Sequence, residues 1–274
     1  MMRRWRSYRH RFVPWLALNW KTRSVKQTNR LSDLVKEEAG LAQLNTLLSS
    51  LAHTTPPLPV RDVQWLLKSP STLIPLADKA AKEMLKVFGF RLELRDSNIP
   101  GGGRGVFLSE DSCTIPPGKL VALYPGTVYL PSEPVLLQSL GNPFLFRCAD
   151  GWMIDGHSRG LSNWIYKSCA YRDVIGPHMS CDLTWLLHTP LNPLSIGQMV
   201  NNHSPSFRQN VEYVEVSLPQ GFPLQLRQFL PNVFYSSWTA DARMPLRLVA
   251  LMSTKTIVPA QELFSSYLTV VTDQ

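Results

Sequence analysis

The sequence predicts an α-helical N-terminal region followed by a mainly β domain of short strands, and three observations carry that reading. Leu34, Val35, Leu41, Leu44, Leu47, Leu48 and Leu51 recur at steps of three and four, the period of one helix face. After Gly89 the apolar residues come instead in brief runs rich in β-branched and aromatic types. Pro116-Pro117-Gly118, Pro125-Gly126 and Asp150-Gly151 separate those runs as turn residues do. The chain thus divides into a basic aromatic arm over 1–30, a helical region over 31–89 and a domain over 90–274, with a long insertion at about 156–196.

Taken in order, the first helix starts near Ser32 or Asp33, either of which is an N-cap residue, and ends in Thr54–Pro59. A short helix is expected over Val60–Lys68 and a longer one over Leu76–Phe88, stopped by Gly89. Phe90–Leu94 alternates as a strand, and Gly105–Leu108, Lys119–Leu123 and Thr127–Leu130 are further short strands. Phe144–Cys148 and Trp152–Ile154, joined through Asp150-Gly151, read as a hairpin. Val211–Val216, Leu224–Phe229, Leu246–Met252 and Leu263–Leu268 complete the expected strands. The stretch from Gly156 to Ile196 shows little periodicity and reads as irregular.

The net charge of +8 is concentrated at one end. Residues 1–32 hold nine basic residues and no acidic one, so the remainder carries nineteen of the 28 Lys and Arg against all 20 Asp and Glu. The alkaline pI of about 9.5 therefore belongs to the arm, and no direct nucleic-acid binding is expected of the main domain. The arm itself reads as a solvated or docked segment, as organelle targeting, or as binding to an anionic surface. It is arginine-rich like a mitochondrial transit peptide but poor in serine, and its apolar stretch Phe12–Leu18 is expected to dock somewhere. No span is long and apolar enough for a transmembrane helix. An intracellular protein is expected, with nucleus, cytoplasm and mitochondrion all open.

Cys113, Cys148, Cys169 and Cys181 lie 35, 21 and 12 residues apart, without a Cys-x-x-Cys pair. Reduced, mostly buried thiols are expected, and no zinc site is written in that spacing. His178, Cys181 and His188 have loosely metal-like spacing, yet no metal is expected there.

Three short stretches stand out. Gly103-Arg104-Gly105 ends a triple glycine and leads into a strand, where glycines permit positive φ and close approach of the backbone to a ligand. By itself it is an ordinary glycine loop, and it is not a dinucleotide fingerprint, because that requires a following helix. Gln198–Ser204, then Asn210-Val211, reads as a strand entering a polar loop whose side chains bond backbone groups. Glu262-Leu263-Phe264-Ser265-Ser266-Tyr267 lies near the C-terminus. A lone tyrosine there is ordinarily a packing residue, and a lone His203 a satisfied loop histidine.

Read together, these stretches resemble a SET domain, the lysine-methyltransferase fold. Gly103–Phe107, the Pro116-Pro117-Gly118 turn and Leu120–Gly126 look like its first half. Gly197–Ser204 with Asn210-Val211 looks like its Asn-His-Ser motif, and Val249–Tyr267 like its closing half. The resemblance implies small twisted sheets with a knot-like C-terminal crossing, in which a late segment threads past the Asn-His-Ser loop. It further implies that Gly103, Arg104, Gly105, Asn202, His203 and Tyr267 hold S-adenosyl-L-methionine, that Tyr267 is catalytic, and that Tyr124 lines a substrate channel.

The implied chemistry is attack of a substrate amine on a sulfonium methyl. Free lysine has a pKa of ~10.4, so the amine must lose its proton first. An apolar channel beside a positive sulfonium disfavours the ammonium form, and no strong base is needed. Tyr267 would orient amine and methyl in line. The expectation is a protein methyltransferase acting on a lysine of a non-histone protein. The alternative is a catalytically silent module that binds cofactor or partner, with the helical region as its interaction surface; the fold also includes a histidine-modifying member.

The sequence departs from the family pattern in places. Met199 stands where Arg is common, the gap from Ser204 to Asn210 is longer than usual, and the usual Gly-Glu-Glu-Leu is Ala260-Gln261-Glu262-Leu263. The Cys-rich flanks of many histone-directed members are missing, and little chain follows Tyr267. The insertion, with Trp164, Tyr166, Tyr171 and Trp185, is therefore expected to supply one wall of a peptide groove, or else to cover its own hydrophobic residues.

Overall fold

Leu44, Leu47, Leu48 and Leu51 repeat at helical spacing, and all four are buried on helix α1 (Arg30–Thr54). The structure is a computed structural model that describes residues 30–55, 59–60, 62–63, 69–148, 150–187, 189–219, 221–236 and 245–266. Residues 1–29 of the arm, most of the expected helix over Val60–Lys68, and Tyr267 lie outside the described residues. Helix α2 (Ile74–Phe88) buries Ala80 and Met84 and ends at Gly89, whose φ of 77° is left-handed and whose N–H bonds Leu85 O. The Ser50 hydroxyl on α1 donates to Glu83 on α2 at 2.5 Å.

From β1 onward short strands are the main regular structure, joined by loops and a few short helices. β1 (Leu92–Asp96) and β2 (Arg104–Leu108) form an antiparallel hairpin around the glycine loop. β3 (Leu120–Leu123) leads through Pro125 to β4 (Gly126–Tyr129), and after a short helical turn, α3 (Leu136–Ser139), the hairpin of β5 (Leu145–Arg147) and β6 (Met153–Asp155) follows. Next come α4 (Gly160–Arg172), β7 (Asn201–Asn202), β8 (Val211–Ser217), α5 (Leu224–Arg227), β9 (Asn232–Phe234), β10 (Arg247–Ser253) and β11 (Phe264–Ser265). They build small sheets: β3-β10-β8, β5-β6-β4-β9, the β1-β2 hairpin, and a parallel pair of β11 with β7. Both faces of β3, β4 and β10 are covered, which is why β3 and β10 read as apolar runs without alternation.

The leucines of α1 enter the same core as β3, β8 and β10. Polar side chains on the helix also close open strand groups. Glu37 accepts the Ser217 N–H at 2.8 Å, and Gln43 Oε1 accepts the Leu120 N–H at 3.0 Å.

Two expectations fail for identifiable reasons. Leu224–Phe229 is not a strand: α5 occupies its first part, and the buried residues Leu226, Phe229 and Leu230 recur at helical rather than alternate spacing. The strand lies just beyond, at β9, where three consecutive residues are buried and so carry no alternation. The stretch after Gly156 is not irregular throughout, because α4 fills its first part. Its inward face is Ser162, Tyr166, Cys169 and Ala170, at helical spacing but small or polar, while the large Leu161 and Trp164 face outward.

The insertion has its own small core. Tyr166 and Trp185 meet edge to face at 5.0 Å, both buried among Cys169, Cys181 and Leu183. The Tyr166 hydroxyl donates to Asp182 O at 2.7 Å. These two rings do not form a groove wall; of the four aromatics, Trp164 is the one set far into solvent, at 77% exposure. All four cysteines are free thiols, three buried and Cys113 exposed.

Candidate functional site

The loop between β1 and β2 owes its shape to its own hydrogen bonds. Ser97 N–H donates to Gly103 O and Gly102 N–H to Ile99 O, both at 2.8 Å. Gly103 has φ of 69°, where a side chain would be strained, and the position a Cβ would take faces open space. Gly105 is glycine for a different reason. Its backbone is not left-handed, but a Cβ there would overlap Glu262 Oε1 and stand 2.9 Å from Glu262 Cδ. The Arg104 side chain reaches back across the hairpin to donate to Leu94 O at 2.6 Å.

The polar stretch after Gly197 crosses this hairpin. Asn201 Nδ2 donates to Arg104 O at 3.1 Å and to Glu262 Oε1 at 3.2 Å. Gly197 lets the chain approach β3, since a Cβ would stand 2.6 Å from Leu123 O. Met199, at the position where an arginine is common, packs against the main core instead.

The late segment runs between these two pieces of chain. On one side Leu108 N–H donates to Gln261 O at 2.9 Å and Leu263 N–H to Val106 O at 2.8 Å. On the other, Phe264 and Ser265 pair in parallel with Asn201 and Asn202, and His203 N–H donates to Ser265 O at 2.8 Å. The turn from Ser204 to Asn210, closed by mutual Ser204–Phe207 backbone bonds, folds Phe207 onto Phe264 with ring centres 5.2 Å apart. This is the crossing that the resemblance implies. Gly103, Arg104, Gly105, Asn202 and His203 are thereby brought to one locality, and β11 stops two residues short of Tyr267, which lies outside the described residues.

Tyr124 lies at the edge of the same locality. It is 2% exposed, and its hydroxyl donates to Phe144 O at 2.8 Å. Gly156 makes room for it, because a Cβ there would come 2.8 Å from Tyr124 Cε1. Its ring meets that of Tyr213 edge-on at 6.1 Å, and the Ser265 hydroxyl donates to Tyr213 Oη at 3.1 Å. Tyr213 thus links Tyr124 to β11. Sequence reasoning passed over it as an ordinary strand residue; the available signal was its place in the strand directly after Asn210.

Charge elsewhere is arranged for structure. Cys148, Asp150 and Glu215 offer ligand atoms within 4.8 Å of one another, but Arg247 already bridges both carboxylates, and burial pushes the Cys148 thiol up, away from the thiolate a metal needs. His188, one of the three residues with metal-like spacing, lies outside the described residues. Among the described residues no helix is long and apolar enough to cross a membrane.

No protein-family model matches the chain. SET domain-containing protein 9 of Homo sapiens is 37% identical to it, over 99% of this chain and 97% of the human protein. SET domain-containing protein 9 of Pongo abelii is 44% identical over 70% of this chain and 69% of its own length. Among solved structures, KRYPTONITE in complex with mCHH DNA, H3(1-15) peptide and SAH covers 66% of this chain at 18% identity and a TM-score of 0.34, a faint likeness. The fold is the mainly β SET fold, preceded by α-helices. Within that class, the chain belongs to the SET domain-containing protein 9 family.

Proposed function

We propose that the chain is an S-adenosylmethionine-dependent protein methyltransferase, acting on a lysine of a non-histone protein. The observation that carries this reading is the passage of the 261–265 segment between β2 and the Asn202-His203 loop, which gathers the glycine corner, the polar loop and the approach to Tyr267. The residues suit the cofactor. Gly103 turns an unencumbered face to open space, and Asn202 and His203, partly or fully exposed, follow Asn201, which bonds Arg104 O, and would serve as donors and acceptors for the adenine and methionyl ends.

Bound S-adenosylmethionine would supply an electrophilic methyl carried on a sulfonium. Gly103, Arg104 and Gly105 would hold it through backbone groups on one side, with Asn202 and His203 on the other. Tyr124, Tyr213 and Phe146, with ring centres 4.9–6.1 Å apart, would form the apolar wall that strips water from an arriving amine. In such surroundings the neutral amine is favoured over the ammonium, so the proton can leave to water before transfer. Tyr267 would direct the amine lone pair at the methyl through its hydroxyl oxygen, which is positioning rather than proton transfer.

Incubation of the protein with a cell lysate and methyl-labelled S-adenosylmethionine tests the proposal. Label is expected in a protein acceptor at a lysine, with loss of roughly a hundredfold or more in Tyr267→Phe, the cost of a misdirected reactant. Cofactor binding without any labelled product would mark the chain as a silent binding module.

A further inference from the structure

The most heavily used carboxylate near the crossing is Glu262, which the proposed chemistry leaves without a task. It is 1% exposed, and its hydrogen-bond partners among the described residues are neutral. Three donors meet it instead: the Ser97 hydroxyl at 2.6 Å and Asn201 Nδ2 at 3.2 Å on Oε1, and the Asn98 N–H at 2.8 Å on Oε2. Ser97 and Asn98 open the glycine loop, and Asn201 immediately precedes Asn202. One buried group on the late segment therefore grips both of the early pieces that would hold the cofactor.

Gly105 is the counterpart of this grip. The space a Cβ would take at residue 105 is filled by Glu262 Oε1, with Asn201 Nδ2 next nearest at 3.2 Å. Ser97 extends the linkage, since its oxygen also accepts the Ile99 N–H at 3.1 Å and lies 3.1 Å from where a Cβ on Gly102 would be. The carboxylate thus reaches Gly103 through the loop's own closure and reaches Asn202 through Asn201.

We propose that Glu262 is a positioning residue for the cofactor site, fixing the Gly103 loop against Asn202, and that residue 105 is glycine to admit this carboxylate rather than to admit the cofactor. This rests on the proposed function for its ligand, though not for its geometry. A buried carboxylate that accepts three hydrogen bonds holds its partners in one arrangement, and deleting it takes away their acceptor.

The test is a double-mutant cycle on the full chain: wild type, Gly105→Ala, Glu262→Ala and the double variant, each titrated with S-adenosylmethionine by calorimetry and unfolded in urea. Gly105→Ala is expected to weaken binding at least tenfold, because the new methyl displaces the carboxylate. Glu262→Ala is expected to weaken it comparably, and the double variant no further than Glu262→Ala alone. If Gly105→Ala does not fold, folding of the double variant is the expected rescue. Glu262→Gln and Ser97→Ala keep the cavity filled and remove single bonds; each is expected to lower affinity several-fold while retaining a native unfolding transition. Additive losses in the cycle, or wild-type affinity in Glu262→Ala and Glu262→Gln, would overturn the inference. Failure of the wild type to bind would instead sink the proposed function, leaving the urea cycle to decide the Gly105–Glu262 relation.

Discussion

Asn210 and Phe264 bind each other twice. Asn210 Oδ1 accepts the Phe264 N–H at 2.8 Å, while the Asn210 N–H donates to Phe264 O at 3.0 Å. The same side chain donates through Nδ2 to Glu262 O at 2.9 Å. One buried amide thereby satisfies the late segment on both sides of Leu263, whose own N–H is taken by Val106. Asn210→Ala would leave a buried donor and a buried acceptor unpaired, at ~1–3 kcal/mol each. Urea unfolding should therefore show a loss of about 2–6 kcal/mol. Asn210→Asp should not recover it, since an oxygen would then face Glu262 O.

Ala260 has φ of 63°, the one left-handed residue other than glycine among those described. It occupies the position where the family commonly has glycine, and its N–H donates to Leu108 O at 2.8 Å. An L-residue in this region costs ~1–2 kcal/mol, and glycine's extra freedom in the unfolded chain returns about half of the gain. Ala260→Gly should accordingly raise the unfolding free energy by about 0.5–1 kcal/mol, visible as a higher urea midpoint with unchanged slope.

Asp182 links stability to pH. Burial raises its carboxyl from an ordinary 3.8 to about 6, against hydrogen bonds from Thr184 and Asn192 that act the other way. The folded chain thus holds a proton that the unfolded chain releases. The stability this contributes is complete below about pH 4 and is lost as pH rises through 6, roughly 3 kcal/mol in all. Burial raises Asp155 in the same direction. In urea titrations at successive pH values, Asp182→Asn should remove the Asp182 share of this decline, so that the difference between variant and wild type changes between pH 4 and 6.5 and is flat above it.

Where backbone geometry demanded a residue type, the fold and the candidate site were legible in the sequence. Gly89 ends a helix and Gly103 turns a loop because each has positive φ, and the Leu44–Leu51 spacing marks a helix because aliphatic residues line its buried face. Helix α4 was not legible because serine, cysteine and alanine bury as well as leucine does but leave no apolar period. Strand β9 was missed because a parallel strand buried on both faces does not alternate. The partnership of Gly105 with Glu262 spans 157 positions in the chain, and only the folded crossing brings the two together.

The most direct measurement is a calorimetric titration of the full chain with S-adenosylmethionine. The account predicts saturable binding at one site per chain, abolished or strongly weakened when Asn202 and His203 are both replaced by alanine. Absence of binding by the wild-type chain, or binding unchanged in that double variant, would contradict it.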